Sequence, residues 1–376
     1  MELNFNEEQI ILRQTAESVC KNYADLSSLR EIEGTELGYS EDFWKQLVEL
    51  GLTGISIPEE FGGSNMGLLD SAILYEEFGK ALALSPLFIS SFMCASLVES
   101  FATKAQKDII LPNIASGADI YTLGLLEKNS SFHESGINLE IQNKANSLVL
   151  NGSKQMVPYA SVAKEIIVIC KYKNSIVAAI VPMDQADVIH TYQANHAKTS
   201  MYEVEFNNVK IDDSMLLIHE NFWSVWELIS QKCQILIAAE AAGGSEKSLY
   251  LGRDYSLERE AFGQKIGSFQ SIAHYLADGL VEVEASKLMT YQAAWAYDNQ
   301  RDISSLSAMA KLQACKSYRE ISATTIQIFG GMGFTVDADP QLYFRRAKHL
   351  QNSLWGETYL EQQLESAFFN KTRKSD

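Results

Sequence analysis

Proline is scarce, with six residues in a chain of 376, and no low-complexity or repeated stretch interrupts the sequence. Cysteine is equally thin. Cys20, Cys94, Cys170, Cys233 and Cys315 are odd in number, far apart and never form a C-x-x-C pair, which argues against a disulfide framework or a zinc site. The six histidines are scattered and no H-E-x-x-H occurs, so no metal is expected. The longest apolar runs, such as residues 166–170, fall far short of the roughly 20 residues of a membrane-spanning helix. Positive charge is short as well: 31 Lys and Arg face 48 Asp and Glu, a formal net charge of −17. Nucleic acid and anionic membranes need a basic face and are therefore poor candidates as partners. A phosphate-bearing ligand stays open, because a local arginine or a helix N-terminus can override the global sign. Residues 1–14 carry acids early and no apolar core, so no signal peptide is expected and the chain reads as a reduced, cytoplasmic protein.

Apolar residues make up 46% of the chain and charged residues 21%, ordinary values for a globular chain long enough to bury several cores. At about 150 residues per domain the length allows two or three domains. Texture divides the sequence in three. Residues 1–117 are helical in pattern: Leu12, Ala16, Val19 and Cys20 recur at helical spacing, as do Phe43, Leu47 and Leu50, with Gly51 as a stop. Residues 118–216 read as short strands. Within them 165–170 and 175–181 are buried β runs, 202–206 alternate, and Asn151-Gly152 after 147–150 signals a hairpin turn. Residues 217–376 are helical again, in periodic segments 223–257, 268–297, 303–329 and 340–368. The expected fold is mainly α with a central β domain: an N-terminal helical domain, a small antiparallel β-barrel and a C-terminal four-helix bundle.

Two glycine-rich turns interrupt the last region. Residues 259–270, which include Arg259, Phe262, Gly263, Gly267, Phe269 and Gln270, end one helix and open the next. Such a turn lets backbone N–H groups approach an anion, with a helix dipole behind it and an arginine fork beside it. The same residues also read as ordinary helix caps and a solvated cation. Gln327, Gly330, Gly331 and Gly333 follow another helix, allowing close approach of a ligand or a second chain, or simply a C-cap. Arg345, Arg346 and Lys348 have the pattern of a solvated helix face.

In order along the chain, I-P-E-E-F-G-G at 57–63, N-G-x-K at 151–154, A-E-A-A-G at 239–243, R-x-x-F-G and F-Q within 259–270, and Q-x-x-G-G at 327–331 resemble the flavin-dependent acyl-CoA dehydrogenase family over nearly the whole chain. The resemblance implies FAD, held by Arg259, Phe262, Phe269 and Gln270, with Gln327, Gly330 and Gly331 reaching the same cofactor from a neighbouring subunit. Met156, Pro158 and Thr358 complete the implied cofactor set, and Gln234 and Gly356 the implied substrate set. Also implied are an acyl-CoA thioester as substrate, a flavoprotein electron acceptor, and a homodimer, tetramer or heteromer with a related chain. In the implied reaction a carboxylate removes the proton α to the thioester carbonyl while a hydride leaves the β carbon for flavin N5.

The departures from the family pattern are local. The usual Thr-Glu-Pro stretch is matched by residues 125–128, without threonine, proline or the Gly-Ser-Asp loop. Met156, Val157 and Pro158 replace the family's Trp-Ile-Thr, and proline has no N–H to donate. Gly356 stands where the family usually has its catalytic glutamate. Glu357 follows one residue later, about 100° further round a helix. The family's other location for the base falls at Cys233, and Glu240 lies seven residues beyond on the same face. Glu357 and Glu240 are thus the two candidate bases, and each reads equally as a structural acid. Residues 330–339, followed by 342–348, resemble a bacterial sub-branch of paired chains for steroid or complex acyl side-chain breakdown, in which one chain can lack the glutamate. Two readings follow: an FAD-dependent acyl-CoA dehydrogenase, or a catalytically degenerate partner subunit of a heteromeric one.

Overall fold

The computed structural model describes residues 4–144 and 147–372. Helices α1 (Glu7–Tyr23), α2 (Leu26–Ile32), α3 (Glu41–Glu49), α4 (Leu68–Ala81), α5 (Ala95–Phe101) and α6 (Lys104–Ala115) come first. Strands β1 (Tyr121–Gly124), β2 (Ile141–Lys144), β3 (Ser147–Pro158), β4 (Glu165–Tyr172), β5 (Ser175–Pro182), β6 (Val188–Tyr192), β7 (Met201–Ile211) and β8 (Leu216–Leu217) follow. The remainder is α7 (Phe222–Glu258), the two-residue strands β9 (Glu260–Ala261) and β10 (Gln264–Lys265), then α8 (Gln270–Asp298), α9 (Ser304–Phe329), α10 (Pro340–Asn352) and α11 (Glu357–Thr372). The chain packs as two compact units. The helical unit comprises residues up to Leu29, Gly67–Ala83 and Gln231 onward; the other comprises Arg30–Met66 and Leu84–Ser230.

In the helical unit, α1 starts at a reciprocal cap in which Asn6 and Gln9 each accept the other's backbone N–H. Asp298, at the end of α8, accepts from the Leu68 and Leu69 N–H groups at 2.7 and 2.9 Å and so caps α4 from another helix. Helices α4 and α7 touch backbone to backbone. A Cβ on Gly79 would lie 1.9 Å from the Glu240 carbonyl oxygen, and one on Gly243 would lie 1.9 Å from that of Glu76. Only glycine allows this approach. Beside the crossing, buried Glu76 faces Arg13 at 3.6 Å, Lys80 at 3.3 Å and Lys287 at 3.5 Å. Glu246 meets Lys80 at 3.1 Å and Lys287 at 2.5 Å, so the charges taken out of water are paired.

The second unit carries two four-stranded sheets, ordered β1-β4-β5-β8 and β2-β3-β7-β6. Their apolar faces share one core that includes Val168, Cys170, Val177 and Val181 of one sheet and Leu150, Val204, Phe206 and Val209 of the other. The pairs are antiparallel except β1 with β4, which is parallel. Asn151-Gly152 is not a hairpin turn. β3 runs through it, with a register shift between Leu150 and Gly152. Gly152 sits at φ 147, and a Cβ there would lie 2.6 Å from a Leu139 methyl group, so the glycine serves a bulge and a close approach.

The segments expected at 223–257, 268–297 and 303–329 form α7, α8 and α9, but 340–368 is not one helix. It breaks between Asn352 and Glu357, where Leu354 and Trp355 take φ values of 42 and 80. Among the described residues, no helix is long and apolar enough to cross a membrane.

Candidate functional site

The first glycine-rich turn folds as a tight β9–β10 hairpin, pairing Ala261 with Gln264 and Glu260 with Lys265. Its tip is Phe262-Gly263, both left-handed at φ 53 and 81, as a primed two-residue turn requires. Glycine suits this conformation; phenylalanine does not, and the Phe262 ring is 95% exposed. Arg259, at the base of the hairpin, is exposed, and its guanidinium pairs with none of the described residues. Phe269 occupies the N-cap of α8 and Gln270 its first turn. The ring of Tyr255, near the end of α7, stacks on that of Phe329, at the end of α9, with centroids 4.1 Å apart. The second glycine-rich turn therefore lies at the same end of the bundle as the hairpin.

Gln327, Gly330 and Gly331 are exposed there. Gly330 needs its glycine for φ 66, but Gly331 is not left-handed and a Cβ on it would meet nothing within 4 Å. The fold does not demand glycine at 331. Met332, Phe334 and Val336 beside it are 56%, 70% and 74% exposed, an apolar run of the kind that marks a contact surface.

The Gly356 turn is held by Lys311 of α9, 16 residues before Gln327, which at 1.5 Å per residue is about 24 Å of helix. Lys311, fully buried on α9, donates to the carbonyl oxygens of Ser353, Leu354 at 2.9 Å and Trp355 at 2.6 Å. Burial pushes its pKa down to about 8. Gly356 comes next. It is not left-handed, a Cβ on it would meet nothing within 4 Å, and its N–H donates to none of the described residues. Glu357 opens α11. Its carboxylate accepts from Gln351 Nε2 at 3.0 Å and faces Arg319 at 3.7 Å, with its side chain 45% exposed. Thr358, beside it, is exposed.

Glu240 sits in different surroundings. Its largely buried carboxylate accepts from Arg346 at 3.0 Å, and Arg346 also reaches the Leu82 carbonyl. Burial raises the Glu240 pKa against the opposing pull of the guanidinium. Arg346 is thus buried, not part of a solvated face, because it neutralises a core acid. Gln234, in the same helix as Glu240, is 1% exposed, and its side-chain oxygen has no donor among the described residues. The structure does not bring Glu357 and Glu240 to a common place: each has its own cationic partner.

In the β-containing unit, Met156 is left-handed at φ 53 within a second bulge of β3, and its N–H is committed to Gln193 Oε1 at 2.8 Å. Pro158 ends the strand without an N–H. Sequence reasoning passed over a buried pair nearby. Fully buried Lys154 donates to Glu127 at 2.7 Å and to the Leu125 carbonyl at 3.1 Å, and Glu127 also accepts from the Asn138 and Leu139 N–H groups at 3.0 Å. Burial alone would raise the Glu127 pKa, but the Lys154 ammonium and these N–H groups hold it below the usual range. Lys311 was passed over too, although its place on a stripe with Ser307, Ala314, Cys315 and Tyr318 puts it on the buried face of α9.

Comparison with known proteins identifies the family. Residues 6–118 match the family described as acyl-CoA dehydrogenase, N-terminal domain, and residues 232–353 match acyl-CoA dehydrogenase, C-terminal domain. The probable acyl-CoA dehydrogenase YngJ of Bacillus subtilis (strain 168) is 32% identical over 320 residues, covering 82% of this chain and 84% of that protein. Acyl-CoA dehydrogenase IpdE2 of Mycolicibacterium smegmatis is 27% identical over 347 residues, covering 91% and 93%. The ChsE4–ChsE5 complex from Mycobacterium tuberculosis shares the fold, with a TM-score of 0.87 at 23% identity, over 97% of this chain and 98% of that one. With a curated relative above 30% identity over most of both lengths, the chain belongs to the acyl-CoA dehydrogenase family.

Proposed function

We propose that this chain binds FAD and an acyl-CoA thioester as one subunit of a dehydrogenase assembly, and that it polarises the thioester without supplying an efficient base of its own. The carrying observation is Gly356: at the family's glutamate position the chain keeps a backbone N–H with no acceptor among the described residues and has no carboxylate. Glu357 is tied to Gln351 and Arg319 in contact with water, whereas a base for an α-carbon proton needs a dry site and a free oxygen. Glu240 is dry, but Arg346 holds it in the core.

The helical unit fits the cofactor. Arg259 has a guanidinium, unpaired among the described residues, for a pyrophosphate, the first amides of α8 add a positive helix end, and Phe262 offers an exposed ring. FAD, when bound, would accept the hydride leaving the β carbon. Gln327, Gly330 and Gly331 would serve the cofactor of a neighbouring subunit, which is what the open space at Gly331 supports. In the β-containing unit the family's backbone donors are reduced, since the Met156 N–H is spent and Pro158 has none. Orphaned Gln234 Oε1 is an acceptor for the acyl group or its carrier. The partner that fits best is a related chain carrying the missing carboxylate, as in the bacterial sub-branch whose residues this chain resembles at 330–348. The chain would work in the cytoplasm and pass its electrons to a flavoprotein acceptor.

A second reading, a self-sufficient dehydrogenase with Glu357 as base, draws on the position of Glu357 directly after the turn. Purified chain assayed alone with a panel of acyl-CoA thioesters and an artificial electron acceptor separates the two. The proposal expects little turnover and no further loss in Glu357→Gln. Robust turnover abolished by Glu357→Gln would establish the second reading.

A further inference from the structure

Lys311 is a charged residue where the periodicity of α9 calls for a neutral one. Its neighbours on the buried face, Ser307, Ala308, Ala310, Ala314 and Cys315, carry no charge, and no carboxylate pairs with its ammonium among the described residues. Its three N–H donors are instead matched to three successive carbonyl oxygens, those of Ser353, Leu354 and Trp355. Three successive carbonyls converge on one point only if the chain curls tightly. Here it curls through two large residues at φ 42 and 80, a conformation they adopt only where the surroundings impose it. The cation also sits at the end of α10, where the helix dipole is negative. The next peptide N–H in the chain is that of Gly356.

We propose that Lys311 is a positioning residue of the thioester site: its ammonium fixes the carbonyls of residues 353–355, and thereby the Gly356 N–H, in the place from which that N–H meets the substrate carbonyl. The inference rests on the reading that Gly356 polarises the thioester. It assigns a charge buried in the bundle to the presentation of a single backbone donor.

The test compares the full-length wild type with Lys311→Met, which keeps the unbranched apolar stem and removes the cation, and Lys311→Arg, which restores a cationic donor. Amide hydrogen exchange at residues 353–358 reads the turn. Calorimetric binding of octanoyl-CoA and of free CoA, which has no thioester carbonyl, reads the site. In Lys311→Met the turn amides should exchange about tenfold faster and octanoyl-CoA should bind about tenfold more weakly, the effect of losing a charge-assisted contact. Free CoA should bind within about twofold of wild type, and Lys311→Arg should recover part of both losses. Unchanged exchange at 353–358 overturns the inference, and so does an equal loss for octanoyl-CoA and CoA, which would make Lys311 merely structural. If Lys311→Met does not fold, Lys311→Arg carries the same readouts against wild type. Equal affinity of the wild type for octanoyl-CoA and CoA would instead refute the thioester reading, while hydrogen exchange would still decide whether Lys311 clamps the turn.

Discussion

Gly356→Glu should create or raise dehydrogenase activity in this chain, and the structure sets both the feasibility and the size of the effect. Most glycines in tight turns resist substitution because of positive φ or crowding. Gly356 has neither: its backbone is outside the left-handed region, and an added Cβ would touch nothing within 4 Å. The substitution should therefore leave stability within about 1 kcal/mol of wild type and can raise it slightly by restricting the unfolded chain. Because Lys311 already holds the preceding carbonyls, the new carboxylate would sit on a fixed turn. A general base in place is worth about 10²–10⁴-fold, or ~2.7–5.4 kcal/mol of barrier. The assay is acyl-CoA-dependent reduction of an artificial electron acceptor by FAD-loaded protein, wild type against variant, with melting temperature as the control for folding. A folded, FAD-containing Gly356→Glu protein no more active than wild type would refute the reasoning, because the missing carboxylate would then not be what limits the chain.

Other outcomes follow from single contacts. Glu240→Leu leaves the buried Arg346 guanidinium without its anion and should cost about 3–5 kcal/mol in urea unfolding, whereas a loss under about 1 kcal/mol would mean that water reaches the pair. Arg259→Ala should weaken FAD binding by ~1.5–3 kcal/mol with no change in melting temperature of the cofactor-free protein; equal FAD retention after desalting would remove Arg259 from the pyrophosphate site. The lowered pKa of Lys311 predicts a pH effect of definite sign. Folded, the group titrates near 8, and unfolded near 10.5, so between those values the unfolded chain holds the extra proton and stability rises with pH. Relative to Lys311→Met, in which Cys315 loses the neighbouring cation, wild type should gain up to about 3 kcal/mol over that window, an upper limit because three carbonyls favour the ammonium. A wild-type minus variant difference that falls with rising pH would contradict the assignment.

What could be read from the sequence was what depends on neighbours within a turn or two. The spacing of Leu12, Ala16 and Val19 predicts α1, and residues 165–170 and 175–181 lie within β4 and β5, because those patterns describe which side faces a core. The hairpin at 259–265 and the turn at 330–333 were legible as breaks for the same reason, since glycine punctuates the chain whatever surrounds it. The misreadings share a different cause. Asn151-Gly152 has the same local chemistry in a hairpin turn and in a bulge, and only the pairing of β3 with β7 and the approach of Leu139 decide between them. The apolar period of 340–368 continues across a break imposed by Lys311, more than forty residues earlier in the chain. Arg346 looks like one of three surface cations until Glu240, 106 positions away, is seen to bury it. Each of these is a charge or a backbone strain compensated from another part of the chain, and compensation leaves no periodic trace. On the proposed reading, the positions that decide catalysis are of this second kind. Whether a carboxylate can act as a base depends on its cationic partners; Glu357 faces Arg319 and Glu240 faces Arg346, and Gly356 offers a backbone N–H.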